Sequence, residues 1–250
     1  MKDIRKTLEI IENSQLTSRT WILRLKGDIS GLKASGQFVN ISVPGKYLRR
    51  PISVSQYDLR EHTLSLLYNI AGEGTMILSK LQPGETLDVL IGLGNGFSIP
   101  DEIENPVLLG GGIGAAPLKQ LAYDLVAAGK KPCVVIGYNT AEESWGMENE
   151  LRNSGIASYI ATVDGTKGTK GFVTDVIKDK KIFFDYFYAC GPMPMLKSLT
   201  GLATEGQLSL ECRMGCGFGA CMCCSLETKE GNKRICKEGP VFNKSELIWK

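Results

Sequence analysis

Val107-Leu108-Leu109-Gly110-Gly111-Gly112-Ile113-Gly114-Ala115-Ala116-Pro117 is the stretch on which the fold turns. Three aliphatic residues suit a buried strand and the glycines a tight turn. Pro117 suits the first turn of a helix whose Leu118, Leu121, Ala122 and Leu125 share one face. A glycine-rich turn between strand and helix is where a dinucleotide pyrophosphate binds, because free backbone N–H groups converge there. Gly111, Gly112 and Gly114 are the candidate contacts. The run departs from the strict G-x-G-x-x-G fingerprint, so a purely structural turn stays open.

Toward the C-terminus the same rhythm repeats. Short apolar runs at 107–109, 133–137, 159–163 and 184–189 alternate with helical stretches, which predicts a doubly wound parallel sheet of α/β type over residues 106–208. Its last strand ends in Cys190-Gly191-Pro192, at the carboxyl edge where ligands gather. Cys190 is the candidate catalytic contact beside a nicotinamide, with Gly191 and Pro192 as nucleotide contacts; simple burial of the thiol is the alternative. Asn139, Thr140 and Glu142 follow the second strand with no arginine to receive a 2′-phosphate, which favours NAD over NADP.

Toward the N-terminus the period changes to two. Trp21, Leu23 and Leu25 alternate with Ile22, Arg24 and Lys26; Val39, Ile41 and Val43 alternate with Asn40 and Ser42; Leu64, Leu66, Tyr68 and Ile70 share a face. With turns at Gly27-Asp28, Pro44-Gly45 and Pro83-Gly84, residues 1–98 predict a small antiparallel β-barrel with a short helix near 76–80. The polar, proline-bracketed segment 98–106 reads as the linker. Two barrel motifs suit a flavin dinucleotide. Arg50-Pro51-Ile52-Ser53 opens a strand with a cation for pyrophosphate and a hydroxyl for the ring edge, and Gly72-Glu73-Gly74-Thr75 offers turn N–H groups to phosphate. Each is also an ordinary surface turn; their order and spacing within one barrel carry the reading.

Eight cysteines are present, and Cys212, Cys216, Cys221, Cys223, Cys224 and Cys236 crowd the C-terminal part, residues 209–250, which reads as a third, smaller module. Cys216, Cys221 and Cys224 are spaced C-x4-C-x2-C with Cys236 eleven residues beyond, the spacing of plant-type 2Fe–2S sites. Gly215, Gly217 and Gly219 let backbone approach the sulfides. A structural zinc site is the competing reading, but its ligands come as two C-x2-C pairs and only Cys221 and Cys224 make one. Cys212 and Cys223 fall outside the pattern and read as packed or shielding thiols.

Glycine supports a ligand-rich backbone, at 29 of 250 residues where roughly 7% is average. Charge is balanced, 29 Lys and Arg against 27 acids for a net +2, which gives no basis for a nucleic-acid or anionic-membrane partner. No run is long and apolar enough to span a bilayer, and the first eleven residues lack a secretory pattern, so the protein is placed in the cytoplasm. The lone histidine, His62, stands among Arg60, Glu61 and Thr63 as a solvated turn residue, and no hydrolase machinery is recognisable.

Arg-Pro-Ile-Ser at 50–53, Gly-Glu-Gly-Thr at 72–75, Gly-Gly-Gly-Ile-Gly at 110–114 and Cys-Gly-Pro at 190–192 together resemble the ferredoxin–NADP reductase superfamily. The cysteine run from Glu211 and the closing Cys236-Lys237-Glu238-Gly239-Pro240-Val241-Phe242 are similar to the electron-transfer subunits of B-type dihydroorotate dehydrogenases. The resemblance implies FAD between barrel and nucleotide domain, a 2Fe–2S cluster in the C-terminal module and NAD⁺ as acceptor. It also implies a heterotetramer with an FMN-bearing subunit that oxidises dihydroorotate. By matching motif, Arg50, Pro51, Ile52 and Ser53 line the flavin, Leu67, Tyr68 and Asn69 its adenylate or ribityl side, and Gly74 and Thr75 its pyrophosphate; the four cysteines hold the cluster. The alternative is the small subunit of an NAD(P)H-dependent ferredoxin or sulfur-metabolism reductase. A zinc-binding structural protein, from a different class, leaves both glycine-rich turns idle.

Overall fold

The structure is a computed structural model that describes residues 4–202 and 204–249. Six strands close an antiparallel barrel: β1 (Arg5–Gln15), β2 (Thr20–Lys26), β3 (Phe38–Ile41), β4 (Arg50–Asp58), β5 (Thr63–Asn69) and, after helix α1 (Glu73–Leu78), β6 (Thr86–Leu93), in the order β1-β2-β5-β4-β3-β6. Period-two patterning drives closure by turning Leu8, Ile10, Leu23, Leu25, Ile41, Leu64, Leu66 and Val89 into one dry core. The helix expected near 76–80 starts at Glu73. Thr75 explains the earlier start: its hydroxyl accepts from the N–H groups of Ala71 and Gly72, 2.9 and 3.3 Å away, and donates to the Gly72 carbonyl at 3.0 Å.

The second half alternates strands and helices: β7 (Pro106–Gly111), α2 (Leu118–Ala127), β8 (Cys133–Tyr138), α3 (Met147–Asn153), β9 (Ala157–Thr162), β10 (Thr169–Lys170), α4 (Val173–Asp179), β11 (Tyr186–Cys190), α5 (Met193–Leu199) and β12 (Gly206–Ser209). A short 3-10 turn over Gly112–Ala115 joins β7 to α2. The hairpin β13 (Ser225–Thr228) and β14 (Gly231–Arg234) follows, then β15 (Val241–Asn243). The large sheet runs β10-β9-β8-β7-β11-β12-β15, parallel except for β15, which pairs antiparallel with β12. Strand order reverses direction between β7 and β11, so the crevice above their carboxyl ends is the topological switch point of the fold.

Two features differ from the modular picture in the sequence. The 98–106 segment, read as the linker, is tied to the sheet. Tyr188 donates to the Ser98 carbonyl at 3.0 Å, Gln207 donates to the Ser98 hydroxyl at 2.7 Å and accepts from its N–H at 3.0 Å, and Ile103 is buried. Segment 209–250 likewise shares its core: Cys224, Ile235, Cys236 and Phe242 pack in one cluster with Val107 and Phe187 of the sheet and with Phe38, Leu90 and Leu93 of the barrel. Asn95, just beyond β6, accepts the N–H of Val241 at 3.2 Å and donates to the carbonyls of Glu238 and Val241 at 2.9 and 2.7 Å. Barrel, sheet and cysteine segment therefore form one packed body.

Candidate functional site

A cavity of about 510 Å³ opens at the switch point, between the barrel and the carboxyl edge of the sheet. That size lies within the usual range of small-molecule sites. Pro51, Ile52, Ser53, Leu67, Tyr68, Asn69 and Thr75 wall it from the barrel; Gly111, Gly112, Gly114, Cys190, Gly191 and Pro192 wall it from the sheet. Strand alternation gives these residues unequal parts. Ile52 and Tyr68 belong to the barrel core, and the Tyr68 hydroxyl is committed to Asn13 Oδ1 at 3.0 Å, leaving Pro51, Ser53, Leu67 and Asn69 on the cavity side. Asn69 Oδ1 accepts from the Thr20 hydroxyl at 2.8 Å. Arg50 and Gly74 are absent from the wall itself. The Arg50 guanidinium covers Gly74, where a Cβ would lie 2.4 Å from Nε, and its Nη1 donates to the Leu48 carbonyl at 2.6 Å.

On the sheet side, the two turns predicted to hold a nucleotide press against each other. A Cβ on Gly114 would lie 2.6 Å from the Cα of Gly191 and 2.8 Å from the Cys190 carbonyl, so the glycines are what lets the turns pack this closely. The Cys190 thiol is pushed up to about 12 by burial, against a smaller opposing hydrogen bond with Ser209. It is a neutral, space-filling group at the cavity wall and has no thiolate chemistry near neutral pH. Motif reading missed Phe38, Tyr138, Glu143 and Trp145, which also line the cavity. Only the fold brings them there; Tyr138 and Trp145 meet edge to face with ring centroids 5.3 Å apart.

The far end of the cavity is formed by Ser209, Leu210, Glu211, Cys212 and Met214, so the wall runs directly into the loop that begins at Cys216. The four predicted ligands make two pairs of thiols in contact, Cys216 with Cys221 and Cys224 with Cys236. The N–H groups of Ala220 and Cys221 donate to Cys216 Sγ at 3.2 and 3.4 Å, and that of Cys236 to Cys224 Sγ at 3.4 Å. Burial raises the Cys216 thiol, but backbone donors around it outweigh burial and bring it below the usual thiol range. Cys236 goes the other way, raised by burial and by its thiol neighbours. Arg234 clasps the assembly: Nη1 donates to the Gly219 carbonyl at 2.6 Å, Nε donates to Glu238 at 2.9 Å, and Nη2 makes a second contact with the same carboxylate. Cys212 touches Cys224 from the cavity side, whereas Cys223 is exposed and points its thiol toward the Arg213 carbonyl, 3.9 Å away.

The family model described as the iron–sulfur cluster binding domain of dihydroorotate dehydrogenase B matches residues 211–248, the segment that holds all four paired thiols. Over nearly its whole length the chain is 41% identical to the dihydroorotate dehydrogenase B (NAD(+)) electron transfer subunit of Geobacillus sp. (strain WCH70), covering 98% of both chains. It is 39% identical to the subunit of the same name from Fusobacterium nucleatum, covering 94% of this chain and 95% of the relative. The chain belongs to the family of dihydroorotate dehydrogenase B electron transfer subunits.

As its name says, a subunit of this family works with a catalytic partner. The architecture recurs in a solved NADH-dependent reduced ferredoxin–NADP oxidoreductase, with a TM-score of 0.88, 28% identity, and 97% of this chain and 90% of that chain covered. Phthalate dioxygenase reductase shares the fold at a TM-score of 0.64 and 20% identity over 79% of this chain and 64% of its own. The residues suit the groups these family traits imply. A 2Fe–2S cluster needs two thiolates on each of two irons, and the chain presents two thiol pairs. Among the described residues no helix is long and apolar enough to cross a membrane.

Proposed function

We propose that this chain passes electrons to NAD⁺ from a dihydroorotate-oxidising, FMN-bearing partner, through a 2Fe–2S cluster on Cys216, Cys221, Cys224 and Cys236 and a bound FAD. We further propose that the two subunits form a heterotetramer in the cytoplasm. One observation carries the reading: a single cavity joins the barrel motif, the paired glycine turns and the approach to the cysteine loop. Bound FAD supplies the conversion between hydride and single-electron chemistry, and the cluster supplies one-electron exchange.

This chain's residues bind and orient. Pro51, Ser53, Leu67 and Asn69 form the flavin wall, with Arg50 and the Gly74-Thr75 turn at its phosphate end. Gly111, Gly112, Gly114, Gly191 and Pro192 leave backbone open to the nicotinamide nucleotide, and the neutral Cys190 thiol packs beside it without taking a proton. The loop N–H groups that donate to Cys216 and Cys224 prepare thiolate ligands. The name the relatives carry, electron transfer subunit, supports assigning dihydroorotate oxidation to the partner.

The test is a divided assay. The purified chain is expected to oxidise NADH with an artificial acceptor and to leave dihydroorotate untouched; adding the partner subunit is expected to couple dihydroorotate oxidation to NAD⁺ reduction. Dihydroorotate oxidation by the chain alone would refute the division of labour. No NAD⁺ reduction in the mixture would favour the second reading, a ferredoxin-linked reductase subunit, for which the likeness to the NADH-dependent ferredoxin–NADP oxidoreductase speaks.

A further inference from the structure

We propose that Asn40, on barrel strand β3, is a positioning residue for the cluster loop: its amide pins the Cys216 carbonyl to the ladder that carries the flavin motif and thereby sets the cluster's reduction potential. The inference rests on the reading of Cys216, Cys221, Cys224 and Cys236 as ligands and adds a residue 176 positions from the loop it holds.

Asn40 is fully buried, and its Nδ2 donates to the Cys216 carbonyl at 3.2 Å. Gly217 follows with φ of +79°, and a Cβ there would lie 2.5 Å from Nδ2, so only glycine lets the loop come this close. The other end of the amide, Oδ1, is buried without a hydrogen-bond partner among the described residues. A half-satisfied buried amide costs stability, and an apolar side chain of the same shape would avoid that cost. What the amide supplies is position.

The position matters because of the strand register. Asn40 lies directly opposite Pro51, and Phe38 opposite Ser53, so one pair of strands carries the flavin-side motif on β4 and the loop anchor on β3. Arg49 stiffens the anchor by donating to the Asn40 carbonyl at 3.3 Å while it holds the Asp88 carbonyl and carboxylate at 3.0 and 2.9 Å. The anchored loop then aims the N–H groups of Ala220 and Cys221 at Cys216 Sγ. Hydrogen bonds to cluster sulfur favour the reduced, more negative form, so loosening the loop lowers the potential.

Asn40→Leu and Asn40→Asp, made in the full chain with flavin and cluster, test this. The measurements are an EPR-monitored redox titration, the EPR g values of the reduced cluster, iron loss to a chelator, flavin content and thermal unfolding. In Asn40→Leu the midpoint is expected at a more negative potential with displaced g values and iron loss faster by on the order of tenfold. Flavin content is expected unchanged, and the Tm no lower than wild type. Asn40→Asp, of the same shape but without the donor when ionised, is expected to move the potential the same way. Wild-type potential, g values and iron retention in both variants would overturn the proposal. A lower Tm with an unshifted potential would also overturn it, by showing a merely structural role. A wild-type chain with no 2Fe–2S signal on reduction defeats the ligand reading itself, and is told apart because the defect is then present before any substitution.

Discussion

Cys236 is 2% exposed and its thiol meets Cys224, so its replacement removes one thiol of that pair. Cys236→Ala is expected to lose the cluster, read as missing iron, sulfide and visible absorption, because an iron left one thiolate short is not retained. Cys223→Ala, which alters only an exposed thiol, is expected to keep a full complement. Beside these ligands, Arg234 holds the Glu238 carboxyl down at about 2, against an ordinary value of 4.5. A carboxyl depressed on folding adds stability that is fully present above its unfolded value and fades as pH falls from about 4.5 toward 2. Both partners are partly exposed, so solvent screening keeps the pair's contribution small. Glu238→Gln is therefore expected to lower stability slightly near neutral pH. Urea unfolding should show the difference from wild type shrinking across the acid range, and a constant difference would contradict the pairing.

At the scale of elements, the carboxyl edges of β7 and β11 decide what the crevice can accept. Their turns touch through Gly114 and Gly191, where a Cβ has 2.6 Å to the opposing backbone and nothing flexible to displace. Gly114→Ala is expected to force these turns apart at a cost of about 1–3 kcal/mol. The expected kinetic result is a raised KM for NADH with an unchanged flavin spectrum, since the barrel wall is untouched. An unchanged KM would mean that the nucleotide lies elsewhere. Helix α1 illustrates a different lesson. Thr75, expected at a phosphate, has its hydroxyl committed to the turn at Ala71 and Gly72, whose shape it braces.

The whole molecule packs as one body because its third module shares its core with the barrel and the sheet. Phe242 and Ile235 pack with Phe187 and Val107, β15 closes the edge of the sheet beside β12, and Asn95 ties the barrel to the same segment. A chain truncated after residue 208 is expected to be insoluble or molten, since it exposes this apolar face and leaves β12 as an open edge. The intact chain is expected to unfold in one transition by flavin fluorescence and far-ultraviolet circular dichroism alike. A soluble, cooperatively folded truncation would show the cysteine segment to be separable.

Local chemistry made much of this legible in the sequence. Alternation of Leu23 and Leu25 with charged neighbours specified barrel strands, Gly110–Gly114 after an aliphatic run specified the strand-to-helix turn, and cysteine spacing picked out the thiols that the fold pairs, because each signal is set by residues close together in the chain. Tertiary structure alone decided what depends on distant partners. Asn40 alternates with the apolar Val39 and Ile41, yet it is buried as they are, with the Cys216 loop docked on its side chain. Residues 98–106 read as the linker, and Tyr188 and Gln207 hold Ser98 to the sheet. Segment 209–250 read as separate, yet β15 completes the sheet. A polar side chain in a strand carries no mark of what will cover it; burial and hydrogen bonding across long sequence separations exist only once the chain has closed on itself.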